Sequence, residues 1–97
     1  MQQPWDSRKN AINKRKHGIS LELALLVFDD PNAVTAEDYL DDNGEMRYQT
    51  LGLVEDLLIF VAHVYREMAG QETPWLISAR KAVKNEEEIY WSNQRQA

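Results

Sequence analysis

Apolar positions fall into two regimes along this chain: helical spacing before Asp29, and near-alternation or short continuous runs from Ala33 onward. Asp6 or Ser7 offers a short side-chain acceptor that caps a helix running through Asn13, and His17-Gly18 ends it, because glycine takes the left-handed C-terminal conformation without strain. Ser20 opens a second helix with Leu21, Leu23, Ala24, Leu25, Val27 and Phe28 in register. Asp29-Asp30-Pro31-Asn32 stops it, since proline disfavours helix in the residue before it.

Val34-Thr35-Ala36 with Tyr39 then predicts a short strand, Asp41-Asp42-Asn43-Gly44 is turn chemistry, and Met46 to Leu53 alternates as the next strand. Leu57 to Tyr65 is continuously apolar apart from His63, which predicts a central strand covered on both faces. Glu67 to Thr73 reads as a glycine-containing turn, Pro74 to Ala79 as a further strand, and Lys84 to Asn93 as a charged helix with Ile89 and Tyr90 turned inward. The fold class is therefore α+β: two N-terminal helices, an antiparallel sheet of about four strands, and a C-terminal helix.

Ninety-seven residues suit one domain, spanning 1–97, and are too few for two. With 43% hydrophobic and 28% charged residues the composition is that of an ordinary folded protein. There is no cysteine and only His17 and His63 among histidines, so neither a disulfide framework nor a thiolate site is available, and no metal or other cofactor is expected. The beginning of the chain lacks the pattern of a secretory leader and no apolar run approaches a membrane span, which reads as a cytoplasmic protein with no membrane role.

Charge changes the picture through its distribution. The net charge of −5 argues against nucleic acid, yet Arg8, Lys9, Lys14, Arg15 and Lys16 lie within nine positions and are followed by His17. Asp29 to Glu45 holds seven acids and no base. The basic stretch reads either as a solvated helix face or as a phosphate-contacting one, in which helical spacing aligns Lys9, Asn13 and Lys16. Histidine is the side chain suited to exchanging protons near neutral pH.

Arg47, Arg66 and Arg80 each fall in or at the end of a predicted strand. Neighbouring strands would let the three guanidiniums converge on one concave surface with part of Lys14 to His17; the alternative is three ordinary ion pairs with the abundant carboxylates. His63, inside an apolar run, is more often a hydrogen-bonded core residue than a catalyst, and Trp5 serves equally as a base-stacking ring or a hydrophobic staple. Asp29-Asp30 and Glu86-Glu87-Glu88 lack calcium-loop spacing and read as solvated turns and helix termini.

Taken together, Trp5-Asp6, Asn13, Lys16-His17-Gly18-Ile19-Ser20, Ala24 and Val27-Phe28-Asp29-Asp30-Pro31 resemble the opening of the BrnT toxin family. Glu45, Arg47, Leu51 and Gly52 resemble its middle, and Ile77-Ser78-Ala79-Arg80-Lys81-Ala82 with Glu86 and Tyr90 its closing signature. The sequence departs from that pattern at Thr73, Pro74 and Trp75 and at Asn85-Glu86-Glu87-Glu88, where members usually carry basic residues.

The resemblance implies a RelE-like ribonuclease fold, RNA cleavage that arrests translation, and neutralisation by a BrnA-like ribbon-helix-helix antitoxin through which operator DNA is met. A metal-independent endoribonuclease would then use Arg66 and Arg80 for charge stabilisation, Lys14, Lys16, Arg47 and Trp5 for RNA and phosphate binding, and His17 or His63 for proton transfer. A second reading stays open at this point: a binding module with a weakened catalytic set, acting as antitoxin partner and co-repressor.

Overall fold

The computed structural model describes residues 3–95. Helix α1 spans Ser7–His17 and a short α2 spans Leu21–Leu25. Strands β1 (Val34–Leu40), β2 (Met46–Val54), β3 (Leu57–Met68) and β4 (Gln71–Lys81) follow, and α3 covers Lys84–Arg95. The four strands form one antiparallel sheet in the order β1-β2-β3-β4, the α+β arrangement the sequence predicts.

Local chemistry sets the helix ends. Asp6 accepts the N–H groups of Arg8 at 2.8 Å and Lys9 at 3.2 Å, satisfying donors that the first turn of α1 would otherwise leave unpaired. Gly18, at φ 72°, closes α1 with its N–H on the Lys14 carbonyl. Ser20 caps α2 through the Leu23 N–H. The second helix is shorter than the apolar spacing predicts, because Leu26–Asp29 tightens into a 3-10 turn before Pro31.

Two other expectations need correction. Glu67 to Thr73 is mostly strand: β3 and β4 run on to a two-residue turn at Ala69-Gly70, with φ 52° and 80°, the positive pair that matches strand twist in a tight hairpin. Composition concealed this, since long β-pairing there is driven by register with the neighbouring strand. Of the two apolar residues expected to face inward from α3, Tyr90 does, at 1% exposed, while Ile89 is 51% exposed.

The sheet has two covered areas. Trp5, Ile19, Leu21, Ala24 and Val27 pack on Ile59, Val61, Leu76 and Ala79, so α2, the 3-10 turn and the residues flanking α1 lie over one face, while α1 itself runs along the edge of β4. Gly52 belongs to this face, and its lack of a side chain matters: a Cβ there would sit 2.6 Å from Val27 Cγ1. On the opposite face Tyr90 packs on Leu51 and Leu58, with Val34, Leu53, Phe60 and Ala82 around them.

Polar groups fasten these layers. Asn13 of α1 donates to the Ala79 carbonyl at 2.8 Å and accepts the Ala79 N–H at 3.1 Å, imitating a fifth strand along β4, and also donates to the Ile19 carbonyl. The Leu76 N–H bonds the Pro4 carbonyl, so the outer edge of β4 is partly covered. Asp30 is no solvated turn residue: it accepts the Leu53 N–H at 2.9 Å and the Tyr90 hydroxyl at 2.6 Å, joining the 3-10 turn, β2 and α3.

Candidate functional site

Side chains two apart along a strand share a face, and so do cross-strand partners. Arg47 alternates with Gln49, Leu51 and Leu53 along β2 and therefore lies on the α3 face. Arg66 shares that face through Leu58, Phe60, Ala62 and Val64 of β3, and Arg80 pairs directly with Phe60. All three arginines thus occupy one side of the sheet, remote as they are in sequence.

They do not form a single cluster. Arg80 lies opposite Phe60, six residues along β3 from Arg66, a separation of about 20 Å at ~3.3 Å per residue. Arg47 and Arg66 occupy one end of the face; Arg80 stands at the other, beside α3.

Each guanidinium has a carboxylate partner. Arg80 makes two bonds to Glu86, at 2.8 and 2.9 Å, and lies 4.1 Å from the Phe60 ring centroid. The hydrogen bonds that Arg80 donates to Glu86 raise the Arg80 pKa, and those same bonds hold the Glu86 carboxyl below its ordinary range despite partial burial. Glu86 also accepts the Val83 N–H at the start of α3, so this carboxylate of the acidic run is fixed rather than solvated. Arg47 bonds Asp41 at 3.0 Å. The N–H groups of Glu45 and Asn43, together with Arg47, keep that carboxyl low. Arg66 reaches Glu45 only at 3.4 Å, and its side chain is the most exposed of the three.

The basic end of α1 meets this face at the border of β4. Lys9, Ile12, Asn13, Lys16 and His17 line a shallow depression of about 170 Å³ with Ile77 and Ser78. Ser78 pairs with Ala62 on the arginine face, two positions before Arg80. Lys16 and the half-buried His17 therefore stand near the Arg80 end. Lys14 is exposed on α1 but does not line the depression.

Two residues expected at the site are elsewhere. His63 is fully buried on the opposite face, its Nε2 2.7 Å from the Thr50 hydroxyl, which is itself 2.8 Å from the Thr35 hydroxyl. The Val64 carbonyl can only accept, so Nδ1 donates to it, at 3.3 Å, and Nε2 accepts from Thr50. Burial lowers the His63 pKa from 6.5, against the opposing effect of that carbonyl bond, and keeps the ring neutral. Enclosed by Phe28, Tyr48 and Tyr65, it is a core residue with no access to a substrate. Trp5 is buried among Leu76 and its neighbours, which removes it as an exposed base-stacking ring.

Sequence reasoning missed Trp75, which pairs with Val64 on the arginine face beneath the Arg66 guanidinium, 4.8 Å from the ring centroid. The signal was its position next to a strand proline, two residues from the register of Arg66. Among the described residues no three His, Cys, Asp or Glu side chains gather as a metal site would require. No helix among them is long and apolar enough to cross a membrane.

The fold and this face define an α+β protein whose sheet presents separated cationic positions bordered by a basic helix, an arrangement suited to a polyanion. The chain matches the family described as ribonuclease toxin, BrnT, of type II toxin-antitoxin system, over residues 5–86, and it belongs to that family. No curated protein matches it.

Proposed function

We propose that this chain is a metal-independent endoribonuclease that arrests translation and is held inactive by a BrnA-like ribbon-helix-helix antitoxin, with operator DNA met only through that partner. The observation that carries the reading is the placement of Arg47, Arg66 and Arg80 on one sheet face bordered by Lys16 and His17. RNA holds its own nucleophile. Its 2′-oxygen attacks the adjacent phosphorus, the bond to the 5′-oxygen of the next nucleotide breaks, and the products are a 2′,3′-cyclic phosphate and a free 5′-hydroxyl.

The protein must take the proton from the 2′-oxygen, stabilise the added negative charge and return a proton to the leaving oxygen. Arg80 is assigned to charge stabilisation, since Phe60 and Glu86 fix its planar fork. His17 is assigned to proton transfer and Lys16 to the phosphate. Arg47, Arg66 and the exposed Lys14 position the rest of the strand, because about 20 Å spans several nucleotides and Arg66 and Arg80 therefore address different phosphates.

The protein acts in the cytoplasm as a single domain, where such activity has to be silenced. An acidic antitoxin segment would do so by replacing the phosphate at these cations, with association slowed by salt.

The test compares an RNA oligonucleotide with its 2′-deoxy counterpart, in chelator, using wild type and Arg80→Ala. Cleavage of RNA alone, ending in a cyclic phosphate and lost in Arg80→Ala, supports the proposal; cleavage of both strands, or dependence on added metal, overturns it. The two-bond Arg80–Glu86 pair favours a second reading, a binding partner and co-repressor with its key cation already occupied. Growth arrest on expression without the antitoxin separates the two, since the co-repressor causes none.

A further inference from the structure

Arg66 differs from the other two arginines in how it is held. Its carboxylate contacts are 3.4 Å each, against 2.8 and 2.9 Å for Arg80, and its side chain is 47% exposed. Another neighbour is an aromatic ring. The guanidinium carbon stands 4.8 Å from the centroid of Trp75, an attraction between a cation and the negative face of the indole.

That ring is half-buried, and Val64 opposite it is 1% exposed, so one part of Trp75 closes the sheet surface while the rest reaches solvent on the arginine face. An indole under a loosely paired guanidinium, which uncovers the ring when it turns to a phosphate, with Arg47 two strands from Trp75 on the same face, answers both things a nucleotide presents. The base has a flat π surface and the phosphate a negative charge.

We infer that Trp75 is a stacking platform for an unpaired base of bound RNA, with Arg66 and Arg47 on the adjoining phosphates. This rests on the reading of the chain as an RNA-cleaving protein and extends it to a binding position remote from Arg80. Stacking tolerates any base, so the platform adds affinity without sequence choice. It favours single strands, because bases inside a duplex already stack on one another.

The experiment measures fluorescence anisotropy of a short single-stranded 2′-O-methyl oligouridylate, which has no attacking hydroxyl, and of an abasic strand with the same length and charge. Wild type, Trp75→Leu and Trp75→Phe are compared after thermal melts establish folding; Trp75→Phe retains an aromatic ring should Trp75→Leu unfold. Trp75→Leu is expected to lose about 5- to 100-fold in affinity for the base-bearing strand, while Trp75→Phe stays within about threefold. Neither should alter affinity for the abasic strand or the salt dependence. Unchanged binding by folded Trp75→Leu overturns the platform, as does an equal loss on both strands. If Trp75→Leu does not fold, the decision rests on wild type and Trp75→Phe: equal wild-type affinity for the two strands overturns it, and tighter base-bearing binding kept by Trp75→Phe supports it. Wild-type protein that binds neither strand removes the RNA reading itself and the platform with it.

Discussion

Replacing Tyr90 by Phe tests the joint between the terminal helix and the sheet with one oxygen atom. The ring still fills its place against Leu51 and Leu58, so no cavity forms; what disappears is the 2.6 Å hydrogen bond to Asp30. A bond to a charged group contributes about 1.5 to 3 kcal/mol. The pKa of Tyr90 is pushed from 10.0 to about 12, first by burial and then by its bond and charge interaction with Asp30. For a chain of this size the loss of that bond predicts a melting temperature lower by roughly 10 °C.

The pH dependence has a definite sign. Because the folded pKa of Tyr90 is raised, its contribution is complete below pH 10 and fades as pH rises through about 12, whereas Tyr90→Phe lacks this alkaline loss. Asp30 behaves oppositely. Burial alone would raise its pKa, but bonds from the Leu53 N–H, Tyr90 and the Asn32 N–H outweigh that and lower it, so its contribution is present above the ordinary carboxylate range and lost as pH falls through the folded value. Denaturant melts of both proteins at pH 4, 7 and 10.5 are the assay. Equal stability at pH 7, or the same alkaline decline in both, would refute the reasoning.

Arg80→Ala should remain folded, with a melting temperature lowered by the loss of its two bonds to Glu86, yet reduce RNA cleavage by the folded protein about a thousandfold, the usual effect of losing one donor that stabilises developing charge, while Leu58→Ala should cost about 2 to 5 kcal/mol of stability and reduce activity only through unfolding. Asn13→Ala strands the buried Ala79 N–H and removes a donor from two carbonyls, so a loss of about 3 kcal/mol is expected in urea titration. Gly52→Ala forces a Cβ to within 2.6 Å of Val27 and should cost about 1 to 3 kcal/mol, with much of it recovered when Val27→Ala makes room; no recovery would mean that the clash is elsewhere.

The sequence by itself determined the elements and most of their limits, because those limits are set by neighbours along the chain: Asp6 and Ser20 as caps, Gly18 as a stop, Pro31 as a break, and alternation in β2. It also brought forward Arg47, Arg66, Arg80, Lys16 and His17 as chemically apt residues. What only the tertiary structure decided depends on contacts between distant segments. The ladder between β3 and β4 made strand of a stretch that looked like loop. Pleat and register placed the three arginines on one face, with Arg80 about 20 Å along it from Arg66, a distance no local pattern encodes. His63 could be assigned to the core only once Thr50 and Phe28 surrounded it, Asp30 became a fastening only when Tyr90 arrived from sixty residues away, and Trp75 acquired meaning only beside Arg66. A side chain's type is fixed by the sequence, but its solvent access and its partners are properties of the packed chain.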